Sequence, residues 1–120
     1  MNLFEIHKAT LANFENIISD IEELPGKSNI QIKFKITFTD NSSLRVSEIF
    51  YSGRLTDYSY YFLDSKNQLT IGWDTAPHHK QLKNFPYHRH ISDKRKLEPS
   101  PKMDLKKVLN FIEKRIKSSS

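Results

Sequence analysis

Apolar residues recur every three or four positions near the start of the chain, which is the spacing of one helix face. The positions in this repeat are Phe4, His7, Leu11, Phe14, Ile18 and Ile21. Pro25-Gly26 follows the repeat, and this pair is typical of a helix end. The pattern predicts an N-terminal helix over residues 1–24. His7 lies on or beside the apolar stripe, so we interpret it as a packing residue rather than a ligand.

From residue 29 to residue 74, apolar and polar residues alternate instead. The alternating segments are 30–38, 44–51, 58–63 and 69–73. Alternation is typical of a strand with one buried face and one wet face. The segments are separated by short turn signals, which are Asp40-Asn41-Ser42, Ser52-Gly53 and Ser65-Lys66-Asn67. Such short connections predict a four-stranded antiparallel meander.

The last third of the chain has two parts. Residues 75–101 show neither period and are rich in histidine and in basic residues, so we expect a His-rich basic loop with a short extended piece at 88–91. Residues 102–117 return to a helical apolar spacing and predict a C-terminal helix. The predicted fold is therefore a single α+β domain: helix, four-stranded meander, His-rich loop and helix, with both helices on one face of the sheet.

Composition narrows the classes of function. The chain has no cysteine, which excludes disulfides, thiolate metal ligands and a cysteine nucleophile. It has no apolar run of the ~20 residues that span a membrane, and its first residues lack the pattern of a secretion signal. We therefore expect a cytoplasmic protein with no membrane partner.

Charge and histidine are concentrated in the second part of the sequence. Residues 1–77 hold 7 Lys/Arg and 10 Asp/Glu, a net charge of −3, whereas residues 78–120 hold 12 and 4, a net charge of +8. The stretch HHKQLKNFPYHRH (78–90) contains four of the five histidines. Cations around a histidine cluster favour a polyanionic partner, RNA first. The alternative is a solvated basic loop without a ligand.

The spacing and the neighbours of these histidines suit acid/base chemistry. His88 and His90 are two residues apart, so an extended backbone directs both to the same side. His88 and His90 are the predicted acid/base pair. His78 and His79 are adjacent and diverge, so one of them is the predicted second contributor, oriented by Asp74. Asp74 ends the preceding strand and could hold one imidazole in a chosen tautomer. Cleavage of RNA without a metal needs a base for the 2′-hydroxyl, an acid for the leaving oxygen and cations for the phosphate, and these residue types can supply all three.

Metal binding is a second interpretation of the same cluster. Two histidines in an H-x-H pair and a third nearby would match the three nitrogens of an open zinc site. The spacing fits no standard zinc pattern, however, and the surrounding cations disfavour another positive charge.

Further residues complete the candidate site. Glu48 alternates with core-facing residues, so it is either a base or orienter with a buried partner, or a wet residue at the strand end. Tyr58, Tyr60 and Tyr61 could stack bases or pack in the core. The candidate phosphate ligands are Arg89, Lys80, Arg54 and Arg45.

Several motifs resemble the TumE family of toxin components from type II toxin–antitoxin systems. They are L-R-V-S-E (44–48), YSYYFLD (58–64), W-D-x-A-P-H-H (73–79) and F-P-x-H-x-H (85–90). The resemblance covers about residues 30–115. Lys80 stands where the family often has another proline, a difference that should loosen the local backbone more than change the chemistry. The resemblance implies a growth-inhibiting protein that a cognate antitoxin binds and neutralises.

Together these observations favour a toxin that acts on RNA, free or on the ribosome, as a metal-independent ribonuclease without a cofactor. Two other functions remain open: a non-catalytic module that binds RNA, the ribosome or the antitoxin, and a His-ligated metalloenzyme. A degenerate toxin is also compatible with the sequence. The edges of a small sheet make a homodimer plausible.

Overall fold

The structure is a computed structural model that describes residues 3–75, 87–91 and 93–118. Within these residues, two helices flank seven strands, and a short 3₁₀ turn at Glu15–Ile17 precedes the first strand. The elements are α1 (Leu3–Asn13), β1 (Ile18–Leu24), β2 (Gln31–Phe38), β3 (Ser43–Tyr51), β4 (Arg54–Leu63), β5 (Leu69–Thr75), β6 (Tyr87–Ile91), β7 (Asp93–Pro99) and α2 (Leu105–Ser118). The strands form one antiparallel sheet whose order follows the chain from β1 to β7.

The two faces of this sheet differ in what covers them. On one side, which we call the helix face, the cross-strand row Phe34, Val46, Tyr60 and Trp73 is almost fully buried. Helix α1 packs there through His7 against Phe34, and α2 packs there through Phe111 against Trp73. On the other side, the open face, the neighbouring row is Lys33, Ser47, Ser59 and Asp74. The core therefore lies between the helices and one side of the sheet.

Helix α2 has a clear start and a clear buried face. The backbone N–H of Lys107 donates to Asp104 Oδ1 at 2.9 Å, which caps the first turn. The buried residues are Leu105, Val108, Leu109 and Ile112, which share one face. The C-terminal helix predicted for 102–117 therefore begins at Leu105, because Asp104 occupies the capping position.

The N-terminal helix predicted for residues 1–24 is wrong beyond Asn13. Residues Ile18–Leu24 instead form edge strand β1. The register of β1 against β2 shifts between Ile18 and Asp20, which indicates a bulge at Ser19. Because of this extra residue, Ile18 and Ile21 both lie on the helix face although they are three residues apart. The bulge therefore produces a helix-like spacing within a strand.

The predicted four-stranded meander is also wrong, although the α+β composition is broadly right. The interval 29–74 does contain four strands, β2 to β5, but the sheet continues on both sides of them. The segment expected to be a His-rich loop contributes β6 and β7. Strand β7 lies at the sheet edge and reads DKRKLEP, and charged residues and proline are typical of edge strands. Because its residues are mostly polar, β7 lacks the alternation of apolar and polar residues that predicts a strand from the sequence.

Among the described residues, no helix is both long enough and apolar enough to cross a membrane.

Candidate functional site

A cluster of polar side chains surrounds the Asp74 carboxylate on the open face. Asp74 Oδ2 accepts a hydrogen bond from the Tyr61 hydroxyl at 2.6 Å and lies 3.0 Å from His90 Nε2. Asp74 Oδ1 lies 3.4 Å from His88 Nδ1. We call Tyr61, Asp74, His88 and His90 the Asp74 cluster. One carboxylate thus contacts a phenol and two imidazoles.

Strand register brings these four residues together. Asp74 pairs with His88 and Gly72 pairs with His90 between β5 and β6, whereas Tyr61 of β4 pairs with Gly72 from the other side. Directly paired residues in an antiparallel sheet lie on the same face. Strand alternation then places residues 72 and 74, and residues 88 and 90, together on the open face.

Gly72 provides the space that this arrangement needs. A Cβ atom at position 72 would lie 2.2 Å from Tyr61 Cδ1, so the tyrosine ring lies directly over the glycine backbone. Glycine inside a strand is typical of such a close approach. The missing side chain lets the Tyr61 hydroxyl reach Asp74.

We expect Gly72→Ala to lower the free energy of unfolding by about 1–3 kcal/mol, because the new methyl group must displace the Tyr61 ring. Urea denaturation measures this change. In a Tyr61→Ala background the obstacle is gone, so the same Gly72→Ala substitution should cost much less. Equal costs in the two backgrounds would contradict the packing of Tyr61 over Gly72.

Burial separates the roles that the two histidines can have. The side chain of His88 is 0% exposed, whereas that of His90 is 12% exposed and that of Asp74 is 14% exposed. His88 Nδ1 also lies 3.3 Å from the backbone carbonyl oxygen of Asp74, an acceptor, which favours the tautomer with a proton on Nδ1. Of these two histidines, His90 is therefore the more accessible, whereas His88 is enclosed beside Asp74.

Tyr61 is a stable donor to the carboxylate. Burial, together with its hydrogen bond to Asp74 and the charge of that carboxylate, raises the pKa of Tyr61 above the ordinary value of 10.0. The hydroxyl consequently stays protonated at neutral pH and fixes Asp74 Oδ2. A carboxylate held in this way can select the tautomer of His90 and stabilise its protonated form.

A second buried polar cluster lies on the other side of the sheet. His7 Nε2 and the Tyr60 hydroxyl each lie 2.5 Å from the Glu48 carboxylate, at Oε1 and Oε2 respectively. We call Glu48, His7 and Tyr60 the Glu48 cluster. Glu48 is 1% exposed and faces α1, so the sheet separates it from His88 and His90. Glu48 has the buried partners that one interpretation required, and they are His7 and Tyr60.

The predicted base-stacking residues Tyr58 and Tyr60 belong to the core. Their exposures are 5% and 0%, and the rings stack on each other with centroids 5.0 Å apart. The Tyr58 hydroxyl accepts a hydrogen bond from the Met103 N–H at 3.0 Å. Both rings face the helices, so neither is open to a base. Tyr61, one residue further along β4, lies on the open face instead.

These buried tyrosines predict a loss of stability at alkaline pH. Burial raises the pKa of Tyr58 to about 12, and burial with the Glu48 carboxylate raises the pKa of Tyr60. An unfolded tyrosine ionises near pH 10, so the unfolded chain loses these protons first. The stabilisation is complete below about pH 10 and is lost as pH rises through about 12.

We expect the free energy of unfolding to fall in this window by about 1.4 kcal/mol per pH unit for each tyrosine. Denaturation followed by circular dichroism at several pH values measures it. Tyr58→Phe should flatten the slope, whereas Tyr51→Phe, at a position 63% exposed, should leave it unchanged. A flat profile for the wild-type protein would contradict the expectation.

The three predicted phosphate ligands that the structure describes, Arg45, Arg54 and Arg89, do not converge. Arg89 lies in register with Trp73 on the helix face, and its Nε and Nη2 donate to Glu98 Oε2 at 3.0 and 2.7 Å. Arg54 is exposed at the β3–β4 turn. Arg45 is exposed on the open face, in register with Tyr61. Residues His78, His79 and Lys80 lie outside the described residues.

Two contacts within these clusters are not predicted from the sequence, namely that of Tyr61 with Asp74 and that of His7 with Glu48. The sequence predicts that Tyr61 stacks on bases or packs in the core and that His7 packs, and neither prediction includes a contact with a carboxylate. The glycine in the middle of the alternating segment 69–73 was a signal for a close aromatic neighbour. Within the described ranges, no group of three or more His, Asp or Glu side chains could hold a metal ion.

Comparison with protein-family models finds a match to the toxin TumE over residues 7–116. The chain belongs to the TumE toxin family. The match confirms the resemblance stated from the motifs and extends it to the N-terminal helix. Both the Asp74 cluster and the Glu48 cluster lie within the TumE match. Comparison with curated proteins and with solved structures finds no significant match.

Proposed function

We propose that this TumE toxin inhibits growth by cleaving RNA, with His90 as the group that exchanges a proton with the substrate and Asp74 as its orienter. The observation that carries the proposal is the 3.0 Å contact between His90 Nε2 and a carboxylate that Tyr61 also fixes. Histidine titrates near neutral pH and is the commonest acid/base residue. A cognate antitoxin that covers the site is the partner we expect.

The proposed reaction needs no metal or cofactor. With Nε2 against Asp74, His90 uses Nδ1 to take the proton of a substrate 2′-hydroxyl. The 2′ oxygen then bonds to the adjacent phosphorus, and the bond from phosphorus to the 5′ oxygen breaks. The leaving oxygen takes a proton from water or from a second histidine. Asp74 stabilises the imidazolium that forms, and His88 Nδ1 lies 3.4 Å from its other oxygen.

The second candidate function is binding without catalysis, to RNA, the ribosome or the antitoxin. Exposed cations on both sides of the protein favour it, since Arg45 lies on the open face while Lys106, Lys107 and Lys114 lie on α2. Growth inhibition by binding alone would depend on these cations, and the binding would weaken as the salt concentration rises. It would not depend on His90.

Growth after induced expression in a bacterial host tests the proposal. We expect wild type and Arg89→Gln to arrest growth, and His90→Ala, checked as soluble and folded, not to arrest it. Arg89 is the matched control because it is the neighbour of His90 on the same strand but on the opposite face. Total RNA should be degraded only in the arrested cultures. Arrest by a folded His90→Ala protein with intact RNA would favour the binding function.

A further inference from the structure

Two small residues form the floor of a trough across the open face. Ser47 of β3 and Ser59 of β4 are a direct cross-strand pair, and both are only partly exposed. Both line a cavity of about 210 Å³ and also a neighbouring cavity of about 300 Å³. The two cavities therefore adjoin over the same pair of serines. We call this depression the serine trough.

The trough connects a cationic end to the Asp74 cluster. Lys33, Ser47, Ser59 and Asp74 form one cross-strand row from β2 to β5. Three strand spacings separate its ends, a distance of about 14 Å. Lys33 and Arg45 line the larger cavity, whereas Asp74 lines the smaller one.

The positions of the carboxylates on the open face determine which cations are available to bind an anion. Lys35 lies directly opposite Glu22 of β1 in the strand register, so a carboxylate on the neighbouring strand makes its surroundings less favourable for an anion. Lys33 instead has Leu24 and Ser47 as its cross-strand neighbours. At the other end, Asp57 and Asp74 both line the smaller cavity and repel anions. Bound phosphates are therefore favoured at the Lys33 and Arg45 end.

The width of the trough selects a single strand. On β3, Arg45 and Ile49 flank Ser47 at four residues from each other, which is about 14 Å along the strand. The Arg45 and Ile49 side chains leave less than this spacing over Ser47, which suits a single strand better than a duplex, whose major groove alone is about 12 Å wide. Tyr61 lines the larger cavity on the same side as Arg45, and an aromatic ring beside cations is typical of single-strand binding.

We propose that the serine trough binds the single-stranded RNA segment next to the cleaved bond, with Lys33 and Arg45 holding its phosphates and Tyr61 contacting a base. The inference rests on the proposed function, because it places the RNA so that it leads to His90. It assigns a binding role to Lys33, Ser47 and Ser59.

Binding of a fluorescein-labelled 2′-O-methyl oligouridylate tests the inference, because this probe lacks the hydroxyl needed for cleavage. We expect Lys33→Gln/Arg45→Gln to weaken binding about tenfold and to reduce the salt slope by about 1.4. The control Lys8→Gln/Lys66→Gln removes the same charge from exposed positions outside the trough and should change the affinity less than twofold. Equal losses of affinity in the two double variants, or no loss in either, would overturn the proposal that the serine trough binds RNA.

A steric variant tests the trough without a change of charge. Ser59→Val places a branched side chain on the floor, and valine suits a strand, so the fold should be kept. We expect about tenfold weaker binding of the same probe, and unchanged affinity would overturn the inference. Failure of the proposed function would give a different experimental result. Wild type would then bind the probe through the trough but neither arrest growth nor degrade RNA.

Discussion

Glu48→Ala is expected to lower the free energy of unfolding by about 3–5 kcal/mol, because it removes the common partner of two buried groups. The Glu48 carboxylate contacts His7 Nε2 and the Tyr60 hydroxyl at 2.5 Å each, and it is 1% exposed. Without the carboxylate, both groups would stay buried without this partner, and each lost partner costs free energy. The contact with His7 also joins α1 to the sheet, so the helix should loosen.

Urea denaturation of the variant and of wild type measures this loss. Glu22→Ala is the matched control, since it removes the same side chain from an exposed position on β1 and should cost less than about 0.5 kcal/mol. Tyr60→Phe keeps the ring and removes one hydrogen bond, so its cost should lie between the two. A Glu48→Ala protein as stable as the control would show that the cluster does not stabilise the fold.

Asp74→Asn is expected to reduce the rate of the proposed RNA cleavage by about 10²–10⁴-fold. Asparagine keeps the size of the side chain and can still accept a hydrogen bond from Tyr61. It carries no charge to stabilise a protonated His90, and its amide nitrogen can direct the imidazole into the wrong tautomer. The loss should therefore appear in kcat more than in KM.

Single-turnover cleavage of a labelled RNA by purified protein measures the rate. Asp20→Asn is the control, because Asp20 is an exposed carboxylate on the open face of β1, away from the Asp74 cluster. It should cleave at the wild-type rate. Cleavage by Asp74→Asn within threefold of wild type would mean that this carboxylate does not assist proton transfer.

The strands in the middle of the sheet could be predicted because each has one buried face. In β2, residues alternate strictly between buried and partly exposed, which is the pattern that the sequence displays. The edge strands lack this signal. In β1 a bulge at Ser19 breaks the alternation, and in β7 the residues are mostly charged. Edge pairing is decided by tertiary contacts that local periodicity does not record.

The candidate site was only partly predictable for a similar reason. The spacing of His88 and His90 and the position of Asp74 at a strand end are local features, and all three were named from the sequence. The contribution of Tyr61 depends on the pairing of β4 with β5. The separation of Glu48 and Arg89 from the histidines depends on which face each strand buries. Register across several strands is needed for those assignments.

The order of the strands has a consequence for folding. Among the described residues, each strand pairs with its neighbours along the chain, so most contacts close short loops. Short loops cost little entropy to close and favour rapid folding. During synthesis, β1 to β4 can pair in turn as they leave the ribosome. Asp74 and His90 join the protein only when β5 and β6 have been added, so a ribosome that stops early releases a fragment without the proposed catalytic pair.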